Sequence, residues 1–276
     1  YAETYDLNAM SGSAKKEEGI STQEKIKLDD FDELQADLTI GDLNILPSGD
    51  DSCYLSWRIP AKNGKTAVEY QVKDGVLNLR ETKAVSGYTH INIDFMEEVL
   101  SGGDESGSGV TLYLPEKKVL KNIDVTMDFG DVQMNGVQAE SGSIESDDGD
   151  IVFSGCKMQD VKIEADYGDV ELKSGTWENG SITLDDGDVS IRSTKLSGDI
   201  SISNSYGDID LELAKKDLEQ MGITAKTDLG DIDVPDEMED LVQGETGEYS
   251  FSYTPDQPAG RLKLVNDDGD ITIEND

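Results

Sequence analysis

Apolar and polar residues alternate along most of this chain in short runs. A period of two sends successive side chains to opposite faces of a strand, so each run predicts a β-strand with one buried face. Val132 and Met134, Ile151 and Phe153, Val170 and Leu172, Val189 and Ile191, and Ile209 and Leu211 form one recurring set. A second set holds Ile123 and Val125, Ile144, Val161 and Ile163, Ile182 and Leu184, Ile200 and Ile202, Ile223 and Ala225, and Leu262 and Leu264. A third apolar position recurs between them at Ala139, Met158, Trp177 and Leu196. No apolar pattern of helical length separates successive strands, so a βαβ fold is disfavoured.

The two main sets meet at a repeated motif. Gly-Asp followed by Val or Ile stands at Gly130, Gly149, Gly168, Gly187, Gly207, Gly230 and Gly269, at intervals of 19, 19, 19, 20, 23 and 39 residues. A fixed period near 20 is the mark of a solenoid. Three inward ladders per repeat predict an all-β fold, a parallel β-helix in which each coil pairs with the next. At about 4.8 Å per coil, seven turns make a rod on the order of 35 Å long. One coil cannot bury its apolar face alone; a stack can.

The remainder of the chain is less regular. Residues 1–27 are polar and aperiodic and read as a leader or tether. Residues 28–110 form an N-terminal β region that caps the solenoid, with a further Gly41-Asp42 and hairpin-type dipeptides Asn63-Gly64 and Asp74-Gly75. Strands are expected around Tyr54–Trp57, Ala67–Val72, Val76–Leu79, His90–Phe95 and Val110–Leu114, and a Gly/Ser/acidic loop at Ser101–Gly109. Residues 111–276 form the Gly-Asp solenoid, decorated by insertions at 214–221 and 235–260. The chain opens on Tyr1, which leaves room for a signal or membrane-anchor segment ahead of it.

Charge narrows the partners. The 276 residues carry 60 Asp and Glu against 23 Lys and Arg, a formal charge of −37. Such a polyanion repels nucleic acid and anionic lipid. Charge alone would point to disorder, but 36% of residues are hydrophobic and they alternate too regularly for that. Cys53 and Cys156 match no metal spacing; two free buried thiols or a disulfide are both open.

Two readings fit the Gly-Asp corner. In one it is a turn device: Gly supplies a positive φ and Asp accepts backbone hydrogen bonds. In the other, Asp131, Asp150, Asp169, Asp188 and Asp208 stack closely enough to favour Ca²⁺, although the spacing is neither an EF-hand nor the nonapeptide calcium repeat. The residue before each glycine runs Phe129, Asp148, Tyr167, Asp186, Tyr206, Leu229, Asp268. Aromatic and acidic residues alternate through the first five. This either holds those carboxylates two coils apart or makes an aromatic stripe of the kind carbohydrate-binding surfaces carry. Tyr249, Phe251 and Tyr253 fall on one side of a strand, either completing the core or forming a ligand platform for a glycan or protein.

No constellation for catalysis stands out. β-Helices host polysaccharide lyases and glycoside hydrolases, but Arg58, Arg80, Arg192 and Arg261 do not cluster in sequence. A carboxylate pair for glycoside hydrolysis cannot be singled out among 60 acidic residues. His90 has no nucleophile motif beside it, and Gly102-Gly103 lacks a phosphate-loop signature. No cofactor is implied beyond Ca²⁺.

Leu112-Tyr113-Leu114-Pro115, Leu120 to Val125 and Phe129-Gly130-Asp131-Val132, followed by repeated Gly-Asp-Ile/Val strands, resemble the bacterial putative-adhesin family of β-solenoid domains. The resemblance covers roughly residues 28–276. It implies a right-handed β-helix displayed outside the cytoplasmic membrane behind an N-terminal anchor, with a role in adhesion, surface display or envelope sensing. It brings no catalytic motif.

Overall fold

The structure, a computed structural model, describes residues 20–60, 68–81 and 108–275. Asn63-Gly64, His90–Phe95 and Gly102-Gly103 lie outside the described residues. The protein is all-β and solenoid-like, built on two long sheets that face each other across one apolar core.

The first sheet collects the strand after each Gly-Asp. In spatial order it runs Asp42–Pro47, Val132–Asn135, Ile151–Ser154, Val170–Lys173, Val189–Arg192, Ile209–Leu213, Ile271–Asn275 and Ile232–Asp233. The second collects the strand before each Gly-Asp: Glu33–Ile40, Asn122–Phe129, Gly142–Asp148, Lys157–Tyr167, Thr176–Asp186, Lys195–Tyr206, Gly260–Asp268 and Met221–Leu229. All these neighbours pair in parallel. Each pair of strands joined at a Gly-Asp turn is a rung, named below by its glycine.

Register aligns like with like. Val132 faces Ile151, which faces Val170, then Val189, then Ile209. The third apolar position also forms a ladder, through Leu120, Ala139, Met158, Trp177 and Leu196. Every residue predicted to face inward is buried. Burying each Val, Leu or Ile is worth about 1.5–3 kcal/mol, which makes the inward ladders the main stabilising element.

Rung order departs from chain order at both ends. The expectation that each coil pairs with the next fails at the C-terminus. The Gly207 rung pairs with the Gly269 rung, and the Gly230 rung lies beyond it. After Leu213 the short helix Lys215–Leu218, anchored by buried Leu218, carries the chain past one rung position. The insertion at 235–260 then forms a 3₁₀ helix, Asp236–Leu241, and the antiparallel strands Val242–Glu245 and Glu248–Tyr253. The last strands return to fill the open slot. At the other end, Gly109–Leu114 and Val76–Glu81 pair outside the Gly41 rung.

Antiparallel strands close the stack at the N-terminal end. Val68–Lys73 and Val76–Glu81 form a hairpin through Asp74 and Gly75, both at positive φ, as the dipeptide predicted. Residues 20–27, read from sequence as part of a polar leader, instead form the strand Ile20–Lys27, antiparallel to Tyr54–Pro60. Its side chains are half-buried or exposed, so it shows no alternation. Among the described residues, no helix is long and apolar enough to cross a membrane.

Candidate interaction edge

The Gly-Asp turns form one continuous edge. Its glycines are required twice. Gly149, Gly168 and Gly187 have φ of 136°, 110° and 143°, a region that disfavours residues with a Cβ. A Cβ at Gly149 would also lie 2.2 Å from the Gly130 carbonyl oxygen, and one at Gly168 2.4 Å from that of Gly149. The turns stack too closely for any side chain there.

The aspartates tie rung to rung. The Asp150 N–H donates to Asp131 Oδ1 at 2.9 Å, Asp169 N–H to Asp150 Oδ1 at 2.9 Å, and Asp188 N–H to Asp169 Oδ1 at 2.9 Å. The ladder continues through Asp208 and Asp270 to Asp231, and begins at Asp42, whose Oδ1 accepts from Asp131 N–H at 3.1 Å. Here the side chain satisfies a backbone donor at the corner between the two sheets, as buried or crowded backbone groups require. Asp42, at the start of the ladder, is held above the usual carboxylate range by burial, against the lowering effect of the Asp131 N–H.

The five calcium candidates, Asp131, Asp150, Asp169, Asp188 and Asp208, all belong to this ladder. Their Oδ1 atoms accept backbone N–H groups. Among the described residues, no group of three or more His, Cys, Asp or Glu side chains is placed to hold a metal ion.

The row before the glycines shows the effect of the rung order. In space it reads Phe129, Asp148, Tyr167, Asp186, Tyr206, Asp268, Leu229. In sequence the alternation breaks after Tyr206, because Leu229 comes next. Insertion of the Gly269 rung puts Asp268 between them and extends the alternation to seven of the eight rungs; the Gly41 rung, with Ile40 beside Phe129, stands outside it. Phe129, Tyr167, Tyr206 and Leu229 are 43%, 58%, 60% and 62% exposed.

Polar residues that the sequence did not single out brace this edge from inside. At the inward position three residues before the glycine, most rungs carry apolar or small residues, but the last three carry Asn204, Asn266 and Thr227. Asn204 Nδ2 donates to the Gly187 carbonyl at 2.9 Å, Asn266 Nδ2 to that of Gly207 at 2.8 Å, and Thr227 Oγ1 to that of Gly269 at 2.9 Å. At the N-terminal end, buried Glu81 takes the place of a strand partner: its Oε2 accepts from the N–H groups of Thr39 and Ile40, both at 2.7 Å. Burial pushes its carboxyl up, opposed by those two hydrogen bonds.

The other candidates lie elsewhere. Phe251 is buried against Ala225, so Tyr249, Phe251 and Tyr253 do not form an exposed platform; both tyrosines pack half-buried on the core. The Tyr253 hydroxyl donates to the Glu219 carbonyl. Arg80 pairs with Asp37, and Arg261 grips Asp199 through two nitrogens, while Arg58 and Arg192 sit on other strands. His90 lies outside the described residues. Cys53 and Cys156 are both free and buried. Burial pushes the Cys156 thiol up to about 11, and its Sγ donates to the Met134 carbonyl.

The family model described as Toastrack DUF4097 matches residues 3–274. No curated protein matches the chain. Among solved structures, a putative adhesin from Bacteroides fragilis is 15% identical, covering 93% of this chain and 97% of that chain, with a TM-score of 0.44. A protein from Parabacteroides distasonis, named a putative lipid binding protein, is 14% identical, covering 94% and 100%, with a TM-score of 0.45. A putative cell adhesion protein from Clostridium sporogenes is 14% identical, covering 93% and 100%, with a TM-score of 0.38.

Proposed function

Because this chain belongs to the Toastrack DUF4097 family, we propose that it is a non-enzymatic protein of the bacterial cell envelope that adheres to a partner through its Gly-Asp edge. In this reading it is a right-handed parallel β-helix of about 19–20 residues per coil, the interval between successive motifs from Gly130 to Gly207. It is displayed outside the cytoplasmic membrane.

One observation carries the reading. Phe129, Tyr167, Tyr206 and Leu229 are held in water along a single edge. Single exposed apolar residues are ordinary, but a row of them at regular spacing on a rigid support is the form of a binding surface. The support is rigid because every rung between the two ends is hydrogen-bonded on both sides, through backbone and through the Asp ladder. A rod of this kind presents the same face over its whole length, which suits attachment better than chemistry in a cleft.

Adhesion of beads coated with the protein to bacterial and host-cell surfaces tests the reading. The wild-type protein is expected to retain beads, and the Tyr167→Ala/Tyr206→Ala double variant to lose most of that retention. Equal retention by both would reject the edge as the adhesive face. Reproducible release of reducing ends or unsaturated sugars from a polysaccharide panel would reject the non-enzymatic assignment.

A further inference from the structure

The edge has two properties that together describe a partner. The first is spacing. Phe129, Tyr167, Tyr206 and Leu229 stand two rungs apart, each from the next. At about 4.8 Å per rung their side chains recur every 9.6 Å or so. The second is charge. In the positions one and two before these seven glycines and one after them there are sixteen aspartates and no lysine or arginine. Lys226, on the same strand as Leu229, is already paired with Asp228.

We propose that this edge binds an extended, proline-rich polypeptide segment carrying Lys or Arg at every third residue. The inference rests on the adhesion reading and deepens it by naming the partner's chemistry.

A polyproline II helix has three residues per turn and rises about 3.1 Å per residue, so one face recurs every 9.3 Å or so. Across the three intervals from Phe129 to Leu229 the two periods drift apart by about 1 Å in all, well within side-chain reach. Other backbones fit worse. Same-face side chains of a β-strand recur at about 6.6–6.8 Å. An α-helix offers about 5.4 Å per turn, or about 10.5 Å over seven residues, which drifts by nearly 3 Å over the same three intervals.

The chemistry of the rungs matches such a segment. Proline rings pack on exposed aromatic faces, the mode by which proline-rich peptides are commonly recognised. A Lys or Arg between them reaches a tyrosine face and a flanking carboxylate together. From Asp42 to Asp270, one oxygen of each ladder aspartate accepts a backbone N–H, a bond that leaves its second oxygen unused. Polyproline II is preformed, so ordering it along the edge costs little conformational entropy. A neutral glycan could hydrogen-bond to the carboxylates but gains nothing from their net charge, and an acidic one would be repelled.

The test uses labelled peptides of about five repeats in binding titrations at about 0.15 M salt. The probes are Lys-Pro-Pro repeats, Lys-Gly-Ser repeats of equal charge, Glu-Pro-Pro repeats and a glucosamine oligomer. The Lys-Pro-Pro peptide is expected to bind at least roughly tenfold tighter than each of the others. The Tyr167→Ala/Tyr206→Ala variant is expected to lose at least roughly tenfold of that affinity while its circular-dichroism melting curve is unchanged, since both rings are exposed. Equal binding of the two lysine peptides, or equal binding by the variant, would reduce the edge to a bulk-charge effect and overturn the proposal. Tighter binding of the glucosamine oligomer would also overturn it, in favour of an amino sugar. If peptide binding is absent while bead adhesion still depends on the two tyrosines, the partner is wrong and the adhesive edge stands. If both are absent, the edge reading falls as well.

Discussion

At each Gly-Asp corner two residues do separable jobs. Glycine permits the stacking; aspartate supplies the bond across it. Gly168→Ala would require a left-handed backbone from alanine and bring its Cβ to 2.4 Å from the Gly149 carbonyl oxygen. Backbone strain of this kind costs about 1–3 kcal/mol before the clash is counted, so the variant is expected to lose about 3 kcal/mol or more in urea unfolding. Asp169→Asn keeps an acceptor for the Asp188 N–H and removes one charge, so it should match the wild type or exceed it. Asp169→Ala should lose about 1 kcal/mol, a hydrogen bond's worth. If Asn and Ala were equally destabilising, the ladder would depend on charge rather than on hydrogen bonding. The corner was legible in sequence because its needs are local and repeat. Asn204, Asn266, Thr227 and Glu81 were not, because their hydrogen-bond partners lie on other rungs, up to 59 residues away for Asn266 and Gly207.

Among the elements, the strand Gly260–Asp268 differs most from its place in the chain. In chain order it follows the Gly230 rung, a place that would put it outermost in the stack. In the fold it is paired on both sides, with Lys195–Tyr206 and with Met221–Leu229. Native-state hydrogen exchange should therefore find the amides of Leu262 to Asn266 as slow as those of Ile182 and Leu184 in mid-stack. Rapid exchange there would mean that the strand is not inserted. Leu262 and Leu264 alternate as plainly as any pair in the chain, so the existence of this strand was legible and its neighbours were not. The strand Ile20–Lys27 is the opposite case. It is an edge strand with no fully buried residue, so burial never imposed a pattern on its sequence, and pairing with Tyr54–Pro60 alone makes it a strand.

For the whole molecule, charge governs the response to pH. Asp42, Glu81 and Asp210 are each raised, in every case chiefly by burial. An acid whose pKa is higher folded than unfolded takes up a proton on folding, so stability rises as pH falls through the folded value and levels off below the unfolded one. Relief of repulsion within a chain of charge −37 acts in the same direction. Asp32, Asp50, Asp199 and Glu237 are lowered, each first by a side-chain hydrogen bond, from Lys121, Tyr54, Arg261 and Lys215 respectively. These contributions are lost as pH falls through the lowered values. The melting temperature is therefore expected to rise from neutral pH to about 5 and to fall below about 4, the ordinary carboxylate range. Added salt should raise it at neutral pH by screening the repulsion. A steady fall from neutral pH to pH 5 would contradict the burial of these carboxylates.

The alternation of side chains and the spacing of Gly-Asp were enough to place the inward ladders and the corners, because strand period and the lack of a Cβ on glycine are local properties. The order of the rungs was decided only by the tertiary structure. Every rung offers its neighbours the same row of N–H and C=O groups and nearly the same ladder of side chains, so nothing local says which rung lies beside which. Linker length and the open slot beside the Gly207 rung settle that, and with it the seven-rung alternation of apolar and acidic residues along the edge.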